Sequence, residues 1–521
     1  MRARCVSAIA MASLVAAMIA PRRSGAQASP YLPVDDIAYT YVDALIARGV
    51  LGGLSSLERP YSVARVRAAL DSAALDTTAA AELGTVLRSY VETLHRAIQR
   101  YELGKPDDPA SAKPPFRAKA TFDIYATAQS SSRQELMNAD ARSNIKPGMA
   151  GYFVFGGGHL AGSVRALLDN RLNTDPEFPG RKDRKIAGRT EDGYIRGQWK
   201  YAELTFGRVA RSWGPRGLSG LQLGDEAYTY DHLYGLAGTD RVHISTVIAR
   251  LDNYVLGPGL ETSRYFSIHR LAVNRGRFEG ALSEAFVYSG VGRGLEFSLI
   301  NPLNVYGLTW RNEKIDGNLN FGAEATFRST AGTFAAHVLL DDIQIDECDT
   351  VCTEPSSYGL TLTAEGLPLA RDHRLFASYT RVSNLAYHTP NIGERYAIYS
   401  VGLGRGYSDY DELRMGADIA LLRGAPIRVY LARRRQGEGD YRKPYPQNSA
   451  FNRTAGFLSG TVWTTNRIGL SGSLISGDVQ VTGDAGINQN TNRANRPGND
   501  INVFEGRVKV IWVPRWLVTF E

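Results

Sequence analysis

The sequence predicts a mainly β fold: a transmembrane antiparallel β-barrel of about 16–18 strands, with a small N-terminal α-helical bundle acting as its plug. Three observations predict it. Residues 1–28 read as an export signal, apolar residues recur at helical spacing between residues 35 and 104, and from Phe116 onward they recur at every second position. The 53 glycines and 27 tyrosines among 521 residues suit strands and tight turns, not a helical bundle.

The elements follow in chain order. Arg2 and Arg4 make a basic start, Val6 to Ala20 is apolar, and Ala26-Gln27-Ala28 offers a small-residue cleavage site. The apolar run of 15 residues falls short of the ~20 that a spanning helix needs. Arg22 and Arg23 lie between that run and the cleavage site, and a short membrane anchor is the competing reading. Removing residues 1–28 takes away Cys5, four arginines and no acid, which lowers the net charge from +7 to +3. So small a charge gives no case for nucleic acid.

Residues 29–105 form the helical plug region. Ile37, Tyr41, Ala44 and Leu45 define a first helix, stopped by Gly49 and Gly52–Gly53. Ser62 caps a second, carrying Val63, Val66 and Leu70. Leu83, Val86, Leu87, Tyr90, Val91, Leu94, Ile98 and Tyr101 form the apolar stripe of a third. The Pro-rich residues 106–115 are a linker.

Residues 116–521 form the barrel. In "ATFDIYATA" Phe122 and Ile124 oppose Thr121 and Asp123; in "GLEFSLI" Leu295, Phe297 and Leu299 oppose Glu296 and Ser298. "NFGAEATFRS", "DELRMGADIAL" and "FEGRVKVIW" alternate in the same way, and no convincing helix interrupts the pattern. A soluble sandwich also alternates. Here, however, the polar face repeatedly carries Arg, Glu and Asp, as a wet lumen would, and closure removes the edges of so large a sheet. "FGGGH" (Phe155 to His159) lacks the lysine and following helix of a phosphate loop and reads as a glycine-rich strand or turn. Asn301–Pro302 reads as a strand end.

Within "LTFGRVARSWGPRGLSGLQLGD" (Leu204 to Asp225), Leu204 and Phe206 face lipid, Gly207 relieves crowding, and Gly214–Pro215 ends pairing. Trp213 suits a membrane interface. Arg208, Arg211 and Arg216 must face the lumen or a headgroup layer. They either pair with lumen carboxylates such as Glu203, Asp225 or Asp341, or bind an anionic ligand through charge-assisted contacts. His269, Arg270 and Glu284 form an acid/base set or, more simply, belong with Glu203, Asp225, Asp341 and Asp342 to a structural lumen cluster. Asp341–Asp342 with Asp346 could also hold Ca²⁺. Cys348 and Cys352 in "ECDTVC" most simply form one local disulfide in an exported chain, and no metal or other cofactor is expected.

The segments "DDIAYTYVDALIARGVL…RPYSVARVRAAL", "FGRVARSWGPRGLSGLQLGD", "RYFSIHRL", "EAFVYSG", "INPLNVY" and "LLDDIQID" occur in this order. Together they resemble the Wzi family of outer-membrane capsule-assembly proteins. The resemblance implies a barrel of about eighteen strands, a periplasmic-side helical plug, and a lectin-like, non-catalytic role in holding capsular polysaccharide. On that reading Arg208, Arg211, Trp213 and Arg216 are candidate glycan contacts. So are Tyr441, Arg442, Lys443 and Tyr445 in the loop Arg433 to Arg453, where aromatic rings can stack on sugars and cations can meet acidic ones. The expected partners are surface or capsular polysaccharide and outer-membrane lipid or lipopolysaccharide, with the protein a monomer in the outer membrane of a diderm bacterium. A passive channel is the alternative and requires an open lumen. A lipid-boundary hydrolase is a third reading and requires a serine or carboxylate beside a histidine. None of the eight histidines shows that pairing along the sequence, although strand register can create one between neighbours.

Overall fold

The computed structural model describes residues 28–75, 84–104, 115–133, 135–138, 143–257, 260–313, 315–342, 356–446, 457–514 and 518–520. Residues 1–27 of the segment expected to be an export signal (1–28), most of the expected linker, and Cys348 with Cys352 lie outside the described residues.

Eighteen antiparallel strands form one closed sheet. They are β1 (Arg117–Gln129), β2 (Asn144–Gly157), β3 (Leu160–Asp169), β4 (Gly188–Gln198), β5 (Ala202–Arg208) and β6 (Asp231–Gly238). Then come β7 (Val242–Arg250), β8 (Leu260–Arg275), β9 (Phe278–Gly290), β10 (Asn318–Ser329), β11 (Gly332–Asp342) and β12 (Ser357–Ala370). The last six are β13 (His373–Val382), β14 (Tyr410–Leu422), β15 (Ala425–Gln436), β16 (Trp463–Ser476), β17 (Val479–Thr491) and β18 (Ile501–Trp512). Each pairs with its sequence neighbour. The sheet closes where β18 meets β1, with Ile124 opposite Trp512, and a final segment, Val518–Phe520, extends the same seam.

Alternation sets the two faces. Ile195, Phe206, Leu282, Ile468 and Phe504 point outward and are exposed, whereas Asp123, Arg196, Arg270 and Arg467 point into the barrel and are buried. A charged lining under an apolar coat is the arrangement of an outer-membrane barrel, and the strands do the crossing. No described helix is long and apolar enough to cross a membrane. One end of the barrel has turns of two or three residues, such as Gly158–His159 and Arg423–Gly424, and the other carries the long connections. Short turns mark the periplasmic end and long loops the outer end.

Three helices, α1 (Ala38–Ile46), α2 (Val63–Leu75) and α3 (Thr85–Ile98), sit inside the short-turn end, beside a cleft of about 1280 Å³ lined by Arg67, His95, Arg100, Lys119 and Gln480. Their shared core includes Tyr41, Leu45, Val66, Tyr90 and Leu94 and rests on Val154, Ala420 and Ile475 of the inner wall. Fully burying each such side chain stabilises by roughly 1.5–3 kcal/mol. The hydroxyls of Tyr41 and Tyr90 donate to the Gly424 and Ala425 carbonyls at 2.6 and 3.1 Å, which ties helices to barrel.

The helical reading of residues 35–104 matches these elements over the described residues, with Leu83 of the third stripe outside them, and "FGGGH" is a strand end and turn, as expected. One strand expectation fails. "GLEFSLI" is not a strand: Phe297–Ile300 forms a helical turn, α4, followed by α5 (Tyr306–Asn312), and Asn301–Pro302 belongs to the connection between them. The β9–β10 connection therefore folds into a helical hairpin, which also corrects the expectation of no helix beyond the plug. Leu299 and Tyr306 are buried against Tyr265, Phe286 and Tyr288 on the outer wall. Alternation over seven residues cannot distinguish a strand from a turn of helix that has a wall to lie on.

Candidate functional site

The stretch from Leu204 begins as predicted. Leu204 and Phe206 face outward, at 48% and 66% exposure. Gly207 has φ +125°, and a Cβ there would collide with the Gly193 carbonyl. Only glycine takes that position without strain. After Arg208 the chain dives into the lumen instead of reaching for the outer surface. Ser212–Trp213 pair with Arg59 and Glu58 of the N-terminal segment, and the Gly214 N–H donates to the Leu57 carbonyl at 2.9 Å.

Residues 209–230 then pack against a second inward connection, residues 383–409. The Tyr387 and Tyr396 hydroxyls donate to the carbonyls of Leu221 and Gln222 at 2.6 and 2.7 Å. The Gly224 N–H donates to the Leu403 carbonyl at 2.7 Å. Trp213, Leu221, Leu223, Tyr387, Tyr396 and Tyr441 share one buried cluster in the middle of the barrel. Among the described residues, helices and connections together pack across the lumen at this level.

Charges lock the filling in place. Arg270 of β8 pairs with Glu324 of β10 at 2.9 Å, both side chains almost wholly buried, and reaches Glu58 at 3.6 Å. The Tyr234 hydroxyl also donates to Glu58, at 3.1 Å. Arg216 pairs with Glu365 of β12 at 2.6 Å and lies 3.7 Å from Asp43 on α1. Arg211 donates to His232 and to the Tyr31 hydroxyl at 3.0 and 3.2 Å, with its guanidinium over the Tyr234 ring. Arg208 stays at the rim and meets Asp231 at 2.8 Å. Of the two readings left open for these arginines, internal partners take up all three, though not the expected carboxylates Glu203, Asp225 or Asp341. Glu203 pairs with Arg196 at 2.6 Å, and the oxygens of Asp341 accept from Asn320 and from the Tyr387 N–H. Asp225 is exposed, in the inward connection. Asp342 is the last residue of β11, and Asp346 lies outside the described residues.

Two expectations are corrected. Trp213, at 1% exposure, is at no membrane interface, and Arg211, Arg216 and Tyr441 are buried with it, so none of them presents a surface to a glycan arriving from outside. The lumen offers an aromatic ring more protein contact than the interface does. Second, His269 and Glu284 are not lumen residues. They share parity with the outward Leu271 and Leu282, and register sets them opposite one another on β8 and β9. His269 Nε2 lies 3.0 Å from Glu284, whose oxygens also accept from the Tyr306 and Gly307 N–H groups at 2.7 and 3.4 Å. This is the histidine–carboxylate juxtaposition that sequence alone did not show. Its carboxylate is taken up in anchoring the first turn of α5 to the outer wall.

At the long-loop end the outer surface is polar. Lys443 is exposed, Arg442 is half-buried with its guanidinium on the carbonyls of Ser400 and Gly406, and the Tyr445 ring lies edge-on to His388 at 5.0 Å. Desolvation lowers His388 to about 4, which keeps it neutral at pH 7. Arg442 also reaches Glu177 of the β3–β4 connection at 3.9 Å, so the two loops are neighbours. That connection exposes Arg181, Lys182, Arg184 and Lys185. A cleft of about 460 Å³ opens beside them, lined by Asn144, Lys146, Asn173, Thr174 and Lys182. The sequence reading missed this surface. Its signal was present in "RKDRK", four cations in five residues, within a chain of modest net charge. Among the described residues no cluster of three or more metal-ligating side chains occurs.

The class of protein is thus a plugged outer-membrane β-barrel. No family model matches the chain, and no curated relative matches it. Among solved structures it is similar to "Wzi, an outer membrane protein involved in group 1 capsule assembly in Escherichia coli", described there as a carbohydrate-binding β-barrel. The TM-score is 0.60 at 13% identity, covering 95% of this chain and all of that one. It is also similar to OprD of Pseudomonas aeruginosa (TM-score 0.42, 12% identity, covering 78% of this chain and 96% of that one). OccAB4 of Acinetobacter baumannii gives 0.44 at 10% identity, covering 79% of this chain and all of that one. At such identities the first likeness is one of fold, and it agrees with the Wzi-like barrel that the sequence motifs suggested.

Proposed function

We propose that the protein binds an acidic surface polysaccharide at the outer end of its barrel, without catalysing a reaction, and takes part in assembling or retaining that polymer as a capsule or exopolysaccharide. The observation that carries the reading is the filled lumen. A barrel packed by three helices and two inward connections is poorly suited to passing solutes, which leaves its outer surface as the place to act. That surface pairs cations with a polar cleft and the half-buried ring of Tyr445, the groups that meet carboxylated sugars. Lys146, Lys182, Lys443 and Tyr445 are the residues proposed to touch the glycan, with Arg442 supporting them and Arg208 at the rim. The similarity to a barrel described as carbohydrate-binding adds support. The Arg433 to Arg453 segment narrows on this reading, because Arg433 to Gln436 are the end of β15 and the loop begins at Gly437.

The test is a glycan array probed with the refolded full chain. Saturable binding to acidic polysaccharide, weakened at least tenfold in Lys146→Ala/Lys182→Ala or in Lys443→Ala/Tyr445→Ala and falling with added salt, supports the reading. Binding that neither pair of changes affects removes the site. An absence of glycan binding, together with stable conductance in planar bilayers, favours a channel instead.

A further inference from the structure

We infer that the outer wall of β6 to β11 carries a binding groove for a single anionic glycerophospholipid of the periplasmic leaflet, roofed by the α4–α5 hairpin. The inference is independent of the polysaccharide reading, since it concerns the other face of the barrel wall.

The hairpin lies along the membrane-facing wall. Phe297, Leu303, Leu308 and Trp310 are 86%, 79%, 61% and 47% exposed on its outer side, an arrangement that suits only an apolar medium. Its inner side covers Tyr265, Phe286 and Tyr288, the upper half of the wall. It stops at Glu284, where the two N–H groups of α5 are clamped. Below that point the wall is bare, and a groove of about 1020 Å³ runs from the hairpin tip to the short turns. Leu303 and Val305 bound it above, and Leu271, Leu282, Phe321 and Leu340 form its floor.

Depth, coat and charge choose the occupant. From Phe278 at the turn to Glu284 is about 20 Å of strand. Allowing for strand tilt, that is close to half of the ~25 Å apolar band, the depth of one leaflet. In a bilayer the groove faces hydrocarbon, so an acyl chain fills it, ending under the Pro302–Val305 tip. Tyr201 and Thr239 bring the groove to the short turns, and the turns at this end of the wall expose Lys200, Arg241, Arg275 and Arg277, with Trp199 and Tyr201 exposed among them. Among the described residues Arg241, Arg275 and Arg277 form no ion pair with any acid. Asp240, the acid nearest in sequence to Arg241, is held by Arg65 at 2.5 Å. Unneutralised cations at headgroup level, flanked by interfacial aromatics, fit a phosphate diester. The hairpin blocks the same wall toward the outer leaflet, which points to a lipid from the periplasmic side.

The experiment is native mass spectrometry of the detergent-solubilised full chain titrated with phosphatidylglycerol, phosphatidylcholine or lipid A. Heat-modifiable gel mobility serves as the folding control. The expected result is one retained phosphatidylglycerol, lost at least tenfold more readily in Leu282→Trp, which fills the groove floor with a side chain tolerated on a lipid-facing wall. Arg241→Gln/Arg275→Gln/Arg277→Gln should abolish the preference for phosphatidylglycerol over phosphatidylcholine. Equal adduct patterns in the wild type and Leu282→Trp would mean annular lipid only and would overturn the inference. Preferential retention of lipid A at the same position would overturn the periplasmic-leaflet assignment.

Discussion

Glu58 and Trp213 are Cα partners in a two-residue antiparallel ladder that joins the N-terminal segment to the connection after β5. Around that ladder the lumen closes. Trp213 packs with Leu221 and Leu223 of its own connection and Tyr387 of the next, while Glu58 is reached by Arg270 and Tyr234.

Opening that ladder should open the barrel. Trp213→Ala removes the largest side chain at the constriction and should cost about 3–5 kcal/mol, as buried aromatic truncations do. In planar bilayers the variant should show conductance events that the wild type lacks. A wild type already conducting at a steady level would show that the filling does not seal.

The Arg270–Glu324 pair should matter more broken than replaced. Arg270→Met leaves Glu324 buried and uncompensated, a loss on the order of 3–5 kcal/mol. The double variant Arg270→Met/Glu324→Leu should recover much of it. Urea titrations of the reconstituted barrel would measure both, and equal losses in the single and double variants would argue against a coupled pair.

Glu284 should govern the outer hairpin. Glu284→Ala leaves the Tyr306 and Gly307 N–H groups without their acceptor, worth about 1–3 kcal/mol. Amide exchange across Tyr306–Asn312 should then quicken at least tenfold while β14 and β15 exchange as before. Unchanged exchange in the hairpin would show that its apolar packing alone holds it.

The inward connection 383–409 should loosen as pH rises. Burial pushes the Glu394 carboxyl from 4.5 up to about 7, against the partial relief offered by Arg293, Asn391 and Ser289. Between these values the folded connection holds a proton that the open one releases, so its stability is fully present below about 4.5 and is lost as pH rises through 7. Exchange of the 391–398 amides, corrected for intrinsic rate, should show more protection at pH 5 than at pH 8. Glu394→Gln should remove that difference.

Much of the barrel was legible because one physical rule is written at every second residue. Phe321, Phe327, Leu413, Met415, Phe504 and Val508 all face outward as their alternation requires. The stripe of α3 was equally plain, since Leu87, Tyr90, Leu94 and Ile98 are all buried. Reading failed where a segment's surroundings, not its pattern, choose its structure. "GLEFSLI" alternates over a few residues yet lies as helix on the wall, and Trp213 looks interfacial until the chain is seen to turn inward. The outer cleft eluded the reading because Asn144 and Lys146 come from β2 and Asn173 and Lys182 from the β3–β4 connection, which only folding brings together.

The sequence by itself determined a membrane barrel with a helical N-terminal region, because a solvent that is hydrocarbon on one side and water on the other imposes its period directly on the chain. The partners within that frame were decided only by the tertiary structure. Strand register set His269 beside Glu284, and it did so on the lipid face, where parity along β8 and β9 leaves no choice once Leu271 and Leu282 point outward. The β8–β9–β10 meander brought Arg270 to Glu324, and the inward turn of the chain after β5 brought Arg216 to Glu365. A charge in a low-dielectric interior takes whichever opposite charge the closed geometry puts within reach, and sequence separation carries no information about that distance.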